Sequence, residues 1–415
     1  MDGSYEVCYR DPQDIIHNML ANPDFDGEID YMPYQDFNVD GHQEWKDFMS
    51  GDWAYKQANI IAKDPMMHGS VFVPVILGSD KMTVSVATGQ TDYYPLYASI
   101  GNVRNNVQQA HHNAVAVVGF LAIPKTDQQH ISDPAFWKFR WQLFHSSLSK
   151  ILETLKPAMS RPEVARCADK HYRHVIYGLG PYIADYEEQV VLACIVKDWC
   201  AKCLAYPNCL DEGGSKRCRD HAELLIKELA LSSLWDKYGI VGKLVPFTND
   251  FPCTDIHELL APDLLHQLIK GTFKDHLVAW VQQYLEKMHS KTEAAKIVTL
   301  IVGLLQWHHA QVYPIFHKDE ASNNGQVYLP AIKGHVPQDI VCTFCAFLEF
   351  CYIAWHDYHT EESLMQLQDA LSRFHKYCVI FQTVGVHLHL SLPCQHSMVH
   401  YFALTRCQGI LEKVE

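Results

Sequence analysis

Between Val71 and Leu77 the chain is apolar at every position, without alternation, and the run closes on Gly78-Ser79-Asp80. A strand covered on both faces reads this way, so the pattern predicts a central strand that leaves the core at Asp80. Met82 to Gly89 alternates and predicts a second strand, Tyr93 to Asn102 a third. Ala114 to Ile123 predicts one more buried strand, stopped by Pro124. From Asp133 to Lys156 the period lengthens to that of a helix, with Phe136, Phe139, Leu143, Leu148, Ile151 and Leu155 on one stripe. His174 to Ala184 and Gln189 to Val196 then predict a strand pair flanking Asp185. Upstream, Gln43 to Lys63 carries apolar and aromatic residues at helical spacing.

Past Cys200 the pattern turns helical: His221 to Tyr238, Ile256 to His289, and a pair within Val336 to Phe381. The resulting fold class is α/β. Its expected parts are an acidic, turn-rich flank (1–65), a sheet core (66–200), a helical insertion (201–300), and a helical C-terminal part entered through an irregular junction (301–415).

Composition narrows the classes. A chain of 415 residues, 48% hydrophobic and 20% charged, can bury real cores and is not a disordered one. Its longest uninterrupted apolar stretches fall short of the roughly 18 residues a membrane helix needs, and Met1 to Glu6 lacks the basic and apolar regions of a secretion signal. A net charge of -14 sits poorly with phosphate binding. Arginine stands at only ten positions, while His (25), Cys (14) and Trp (9) abound. With glutamine, these are residues that CGN arginine codons become by C-to-T change on one strand or the other, a hypothesis that fails if the gene's His, Cys, Gln and Trp codons do not align with CGN codons in sister copies.

Fourteen cysteines without a secretion signal point to thiols or a metal, not to a disulfide framework. Cys200-Ala201-Lys202-Cys203 is a Cys-x-x-Cys knuckle, and zinc favours thiolate and imidazole in a tetrahedral set. Cys209, Cys218 and His221 lie near enough to complete it, with His221 the preferred partner; four free thiols is the plainer alternative. Cys342, Cys345 and Cys351, at helical spacing, read as core residues. His111-His112 and His308-His309 match no ligand spacing and read as surface residues. A zinc hydrolase would need a His/Asp/Glu set with an open position, and no such spacing occurs.

Longer strings carry a resemblance: Phe72 to Lys81, Tyr94-Pro95-Leu96-Tyr97, Gly178-Leu179-Gly180-Pro181-Tyr182-Ile183-Ala184-Asp185-Tyr186, Val245 to Pro252, Asp255 to Gln267, and Ser391 to Tyr401. In these the chain resembles the Plavaka-type (CACTA/KDZ-like) fungal DNA transposases. The resemblance implies a ribonuclease-H-like core that cuts DNA with two Mg²⁺ ions held by three carboxylates. It implies Asp80 as the first of these and Asp185 as the second, with Asp250, Asp255 and Asp263 competing for the latter role. Asp263-Leu264-Leu265-His266 resembles the Asp-x-x-His motif of cut-and-paste transposases, in which the carboxylate supports the imidazole. A knuckle comparable to Cys200-x-x-Cys203 also occurs in the family. The third acid is implied beyond Tyr401 in a Thr-Glu-Ser-Lys-His-like segment; here Glu412 and Glu415 stand in unrelated context. The expectation is a C-terminally truncated, transposase-derived protein, nuclear and DNA-directed, able to form homo-oligomers and catalytically silent. A non-catalytic DNA-binding or protein-interaction module on the same scaffold is the alternative.

Overall fold

The computed structural model describes residues 5–85, 91–109, 113–124, 133–210, 213–290, 292–297, 299 and 328–411. It divides into two compact units, one of residues 1–204, 215–262 and 404–415, the other of 205–214 and 263–403.

The first unit runs β1 (Cys8–Tyr9), α1 (Pro12–Leu20), a small antiparallel pair β2 (Asp36–Phe37) and β3 (Gln43–Trp45), α2 (Asp52–Ile61), β4 (Val71–Ser79), β5 (Met82–Ser85), β6 (Thr91–Tyr93), β7 (Pro95–Ile100), α3 (Asn105–Gln109) and β8 (Ala116–Phe120). It continues with α4 (Pro134–Ile151), β9 (Glu163–Arg166), β10 (Tyr172–Ile183), α5 (Tyr186–Leu192), α6 (Arg219–Glu228), α7 (Leu231–Tyr238) and α8 (Ile256–Leu259). One sheet organises it, in the order β1-β8-β7-β4-β10-β9. β4, β7 and β8 form an antiparallel meander, and β10 returns parallel to β4.

All nine residues of β4 are buried, which is the physical content of its unbroken apolar run. A proline in a central strand lacks a ladder donor. Pro74 stands opposite Gly178, and its carbonyl still accepts the Gly101 N–H at 2.9 Å. The core gathers Val73, Val75 and Leu77 of β4 with Leu96 and Ile100 of β7, Leu148 and Ile151 of α4, and Tyr177 and Leu179 of β10.

The predicted strand at Gln189 to Val196 is instead helix α5. Asp185 sits in extended backbone and its Oδ1 accepts the Glu188 N–H at 2.7 Å, and Glu187 and Glu188 occupy the positive end of the helix dipole. The Val190-Val191-Leu192 triplet thus packs as a helix face. Three helical expectations are also interrupted. Gln43 to Lys63 contains β3, a tight turn at Phe48–Ser50 and only then α2. His221 to Tyr238 breaks at Leu229-Ala230 into α6 and α7, and Ile256 to His289 breaks at Ala261-Pro262, where proline disfavours a helical predecessor.

The second unit is helical: Leu264–Val278, wound as a π-helix, then Ala279–Met288, Gln338–Ala354 and Glu361–Cys378. Its core is aromatic, with the Phe273 ring 5.8 Å from Tyr328, 5.9 Å from Phe344 and 6.1 Å from Phe347. Of the three cysteines expected in a core here, Cys351 is buried, but Cys342 is half-buried and Cys345 exposed, because their faces of the helix point away from that cluster. The His111-His112 and His308-His309 pairs, with Glu412 and Glu415, lie outside the described residues.

Candidate functional site

β4 and β10 are neighbours, parallel, and in register at Gly78 and Ile183. Two residues beyond that pair each chain segment carries an aspartate, Asp80 on one and Asp185 on the other. Adjacent parallel strands therefore deliver two carboxylates to one end of the sheet from positions more than a hundred residues apart. Asp80 is exposed and Asp185 half-buried. Lys81 does not neutralise Asp80 by default: its ammonium pairs with Asp92 at 2.8 Å.

Behind them lies a third carboxylate. Glu188 is 7% exposed, and burial drives its carboxyl well above the usual range, with the charges of Asp185 and Asp80 adding to the rise. The Ser79 hydroxyl donates to its Oε1, and the Tyr94 hydroxyl is hydrogen-bonded to it as well. Ser79 Oγ lies 2.6 Å from the Tyr182 hydroxyl, and burial raises both tyrosines far above their ordinary values.

The competing aspartates have structural tasks. Asp250 accepts the Ser149 hydroxyl at 2.5 Å. Asp255 caps α8 through the His257 N–H at 2.9 Å and takes the Arg219 N–H at 2.8 Å. In the second unit, Asp263 caps its helix by accepting the His266 N–H at 2.9 Å, and His266 Nδ1 stands 3.3 Å from its other oxygen. The Asp263 carboxylate and the His266 imidazole stand within ion-pair distance there.

The Cys200-x-x-Cys203 knuckle is buried at both thiols and closed by the Lys202 N–H on Cys200 Sγ at 3.2 Å. Arg217 braces it from behind: Nε donates to the Cys200 carbonyl at 2.8 Å and the Cys203 carbonyl at 2.9 Å, and Nη2 to the Tyr238 carbonyl at 2.7 Å. The buried His257 Nδ1 holds the Ala201 carbonyl at 2.8 Å. These bonds tie three carbonyls of the turn and fix its backbone around the two sulfurs. His221 lies in the first turn of α6 with its ring against Tyr238, centroids 6.4 Å apart, and lines a small cavity with Cys218 and Arg217. Cys209 and Cys218 are exposed.

A family model described as Plavaka transposase matches residues 1–281. The chain belongs to that family. No curated protein matches it. The matched span holds both sheet-end aspartates, Glu188, the knuckle and the Asp263-His266 pair of this Plavaka transposase family member.

One further pair escapes the sequence analysis. His396 and His400, one turn apart on the helix Pro393–Gln408, face each other with their Nε2 atoms 3.1 Å apart. The His396 Nδ1 lies 2.6 Å from the Leu210 carbonyl. A carbonyl can only accept, so Nδ1 carries the proton and Nε2 presents its lone pair, the tautomer a metal ligand requires. His-x-x-x-His spacing is the readable signal. Glu188 and Arg217 offer none, since each draws its meaning from partners distant in sequence.

Proposed function

We propose that the first unit is the DNA-cleaving core of a cut-and-paste transposase, ribonuclease-H-like in plan, with Asp80 and Asp185 as two carboxylates of a Mg²⁺ site. The observation that carries this is the parallel register at Gly78 and Ile183, which sends both aspartates to one sheet end. The meander of β4, β7 and β8, with an acid closing its first strand, supports the ribonuclease-H-like reading. The donor set fits Mg²⁺, which takes few protein carboxylates and keeps several waters. Divalent cations in such a pair supply a water of lowered pKa and stabilise the attacking and leaving oxygens of an in-line displacement. The protein's share is placement: the sheet fixes both strands, and the capped α5 fixes Asp185. DNA is the partner and the nucleus the compartment that this reading implies. Among the described residues no helix is long and apolar enough to cross a membrane.

The test is Mg²⁺- or Mn²⁺-dependent nicking of DNA carrying the element's terminal repeats. Cutting that Asp80→Ala abolishes supports the proposal and overturns the expectation of a catalytically silent chain. DNA retention without cutting under any divalent cation favours a non-catalytic binding module on the same scaffold.

Zinc belongs to the same proposal, with Cys200 and Cys203 as two thiolate donors and His221 the imidazole that sequence spacing favours. The braced knuckle prepares the sulfurs for it. One zinc per purified chain, lost in Cys200→Ser and in Cys203→Ser, is the expected result. Retention in His221→Ala would remove that imidazole from the donor set.

A further inference from the structure

We infer that Glu188 is the positioning residue that locks Asp80 and Asp185 into one site, an inference that rests on the two-aspartate reading above. Beyond Gly78 and Ile183 the ladder between β4 and β10 ends, and although Ser79 still pairs with Leu96 of β7, no backbone pairing links the two segments that carry the aspartates. Glu188 replaces it. Its backbone N–H is held by Asp185 Oδ1 at 2.7 Å, and its carboxylate receives the hydroxyl of Ser79, the residue directly before Asp80. A short chain of bonds therefore runs from one aspartate through Glu188 to the neighbour of the other. Tyr94, just before β7, and Tyr182, on β10, close the network around the same carboxylate and the same serine. Gln189 anchors the helix itself, donating to the Ala184 carbonyl at 2.9 Å and the Ala261 carbonyl at 3.1 Å.

A carboxyl group so enclosed is not a ligand for a solvent-borne ion; it sets where the ligands stand. Partners of this kind commonly change metal affinity about 10- to 100-fold when removed. Glutamine keeps the carbonyl-type acceptor that Ser79 needs and alanine does not, so the two substitutions separate positioning from charge.

The experiment is Mn²⁺ titration of the full chain, read by electron paramagnetic resonance, with folding checked by near-ultraviolet circular dichroism. Asp80→Ala should abolish binding. Glu188→Ala should weaken it about 10- to 100-fold, Glu188→Gln should restore most of it, and Glu187→Gln, altering a residue whose carboxylate pairs with Lys197 on the surface, should change nothing. Should Glu188→Ala not fold, Ser79→Ala removes the same link from the other side and should weaken binding in the same direction. Unchanged affinity in folded Glu188→Ala or Ser79→Ala overturns the inference, as does Glu188→Gln binding no better than Glu188→Ala. Failure of the unaltered chain to bind Mn²⁺ removes the two-aspartate site itself and the inference with it.

Discussion

Asp185 Oδ1 accepts the Glu188 N–H at 2.7 Å, so the aspartate offered as a metal ligand is also the N-cap of α5. The two roles separate by substitution. Asp185→Asn keeps a capping oxygen and loses the charge; Asp185→Ala loses both. Urea unfolding should show Asp185→Ala destabilised by about 1 kcal/mol and Asp185→Asn by a few tenths. Mn²⁺ affinity should fall in both. A variant that loses the cap but keeps full Mn²⁺ affinity would leave Asp185 a turn residue.

How much of this is legible in the sequence follows from which partners are local. β4 can be read from Val71 to Leu77 because burial on both faces leaves no polar position there to confuse the pattern. Asp80 and Asp185 stand out as the acids that close two apolar stretches. The stretch after Asp185 misleads because a run as short as Val190-Val191-Leu192 suits a buried strand and a helix face equally. Its Asp-x-x-Glu spacing is the better guide. Glu188 is illegible as more than a helix acid, since Ser79 and Tyr94 reach it only once the sheet has formed. The knuckle is visible in its spacing, but its brace is not: Arg217 and His257 act on backbone carbonyls, which leave no trace in side-chain pattern.

Arg217 should therefore matter more than an arginine remote from DNA-binding chemistry would suggest. It is 6% exposed and donates to three carbonyls, two of them in the knuckle. Arg217→Leu leaves two buried knuckle carbonyls, and the half-buried Tyr238 carbonyl, without that donor, each buried loss costing about 1–3 kcal/mol. The expected result is a total loss of several kcal/mol in denaturant unfolding, together with faster reaction of Cys200 and Cys203 with a thiol reagent under native conditions. Unchanged thiol reactivity would show that the knuckle holds its shape without the guanidinium.

Gly239 ends α7 in the left-handed region, φ +61°, and a Cβ there would run into the Trp199 ring. Gly239→Ala joins roughly 1–2 kcal/mol of left-handed strain to about 1–3 kcal/mol of overpacking. Gly27, at φ +82° with nothing within 4 Å of where a Cβ would stand, isolates the strain alone. Unfolding midpoints should place Gly239→Ala well below Gly27→Ala. Equal losses would mean that Trp199 moves aside freely.

His145 sets an acid limit on the first unit. Its Nδ1 accepts the Phe247 N–H at 3.1 Å, so Nε2 carries the proton and donates to the Val191 carbonyl at 3.0 Å, beside Cys194 Sγ at 3.2 Å. A second proton, on Nδ1, would meet that N–H and no acceptor, and burial lowers the imidazole from 6.5 to about 4. The unfolded chain takes up that proton near 6.5 and the folded one only near 4. Stability from this group is thus complete above pH 6.5 and is lost as pH falls from there toward 4, by up to about 3 kcal/mol. His257, lowered to about 4 mainly by its own burial, adds a loss of the same sign over the same window. Urea unfolding from pH 7 to about 4.5 should show the decline, and His145→Gln should be less stable at pH 7 but fall less steeply. A slope unchanged by His145→Gln would assign the acid sensitivity to other groups.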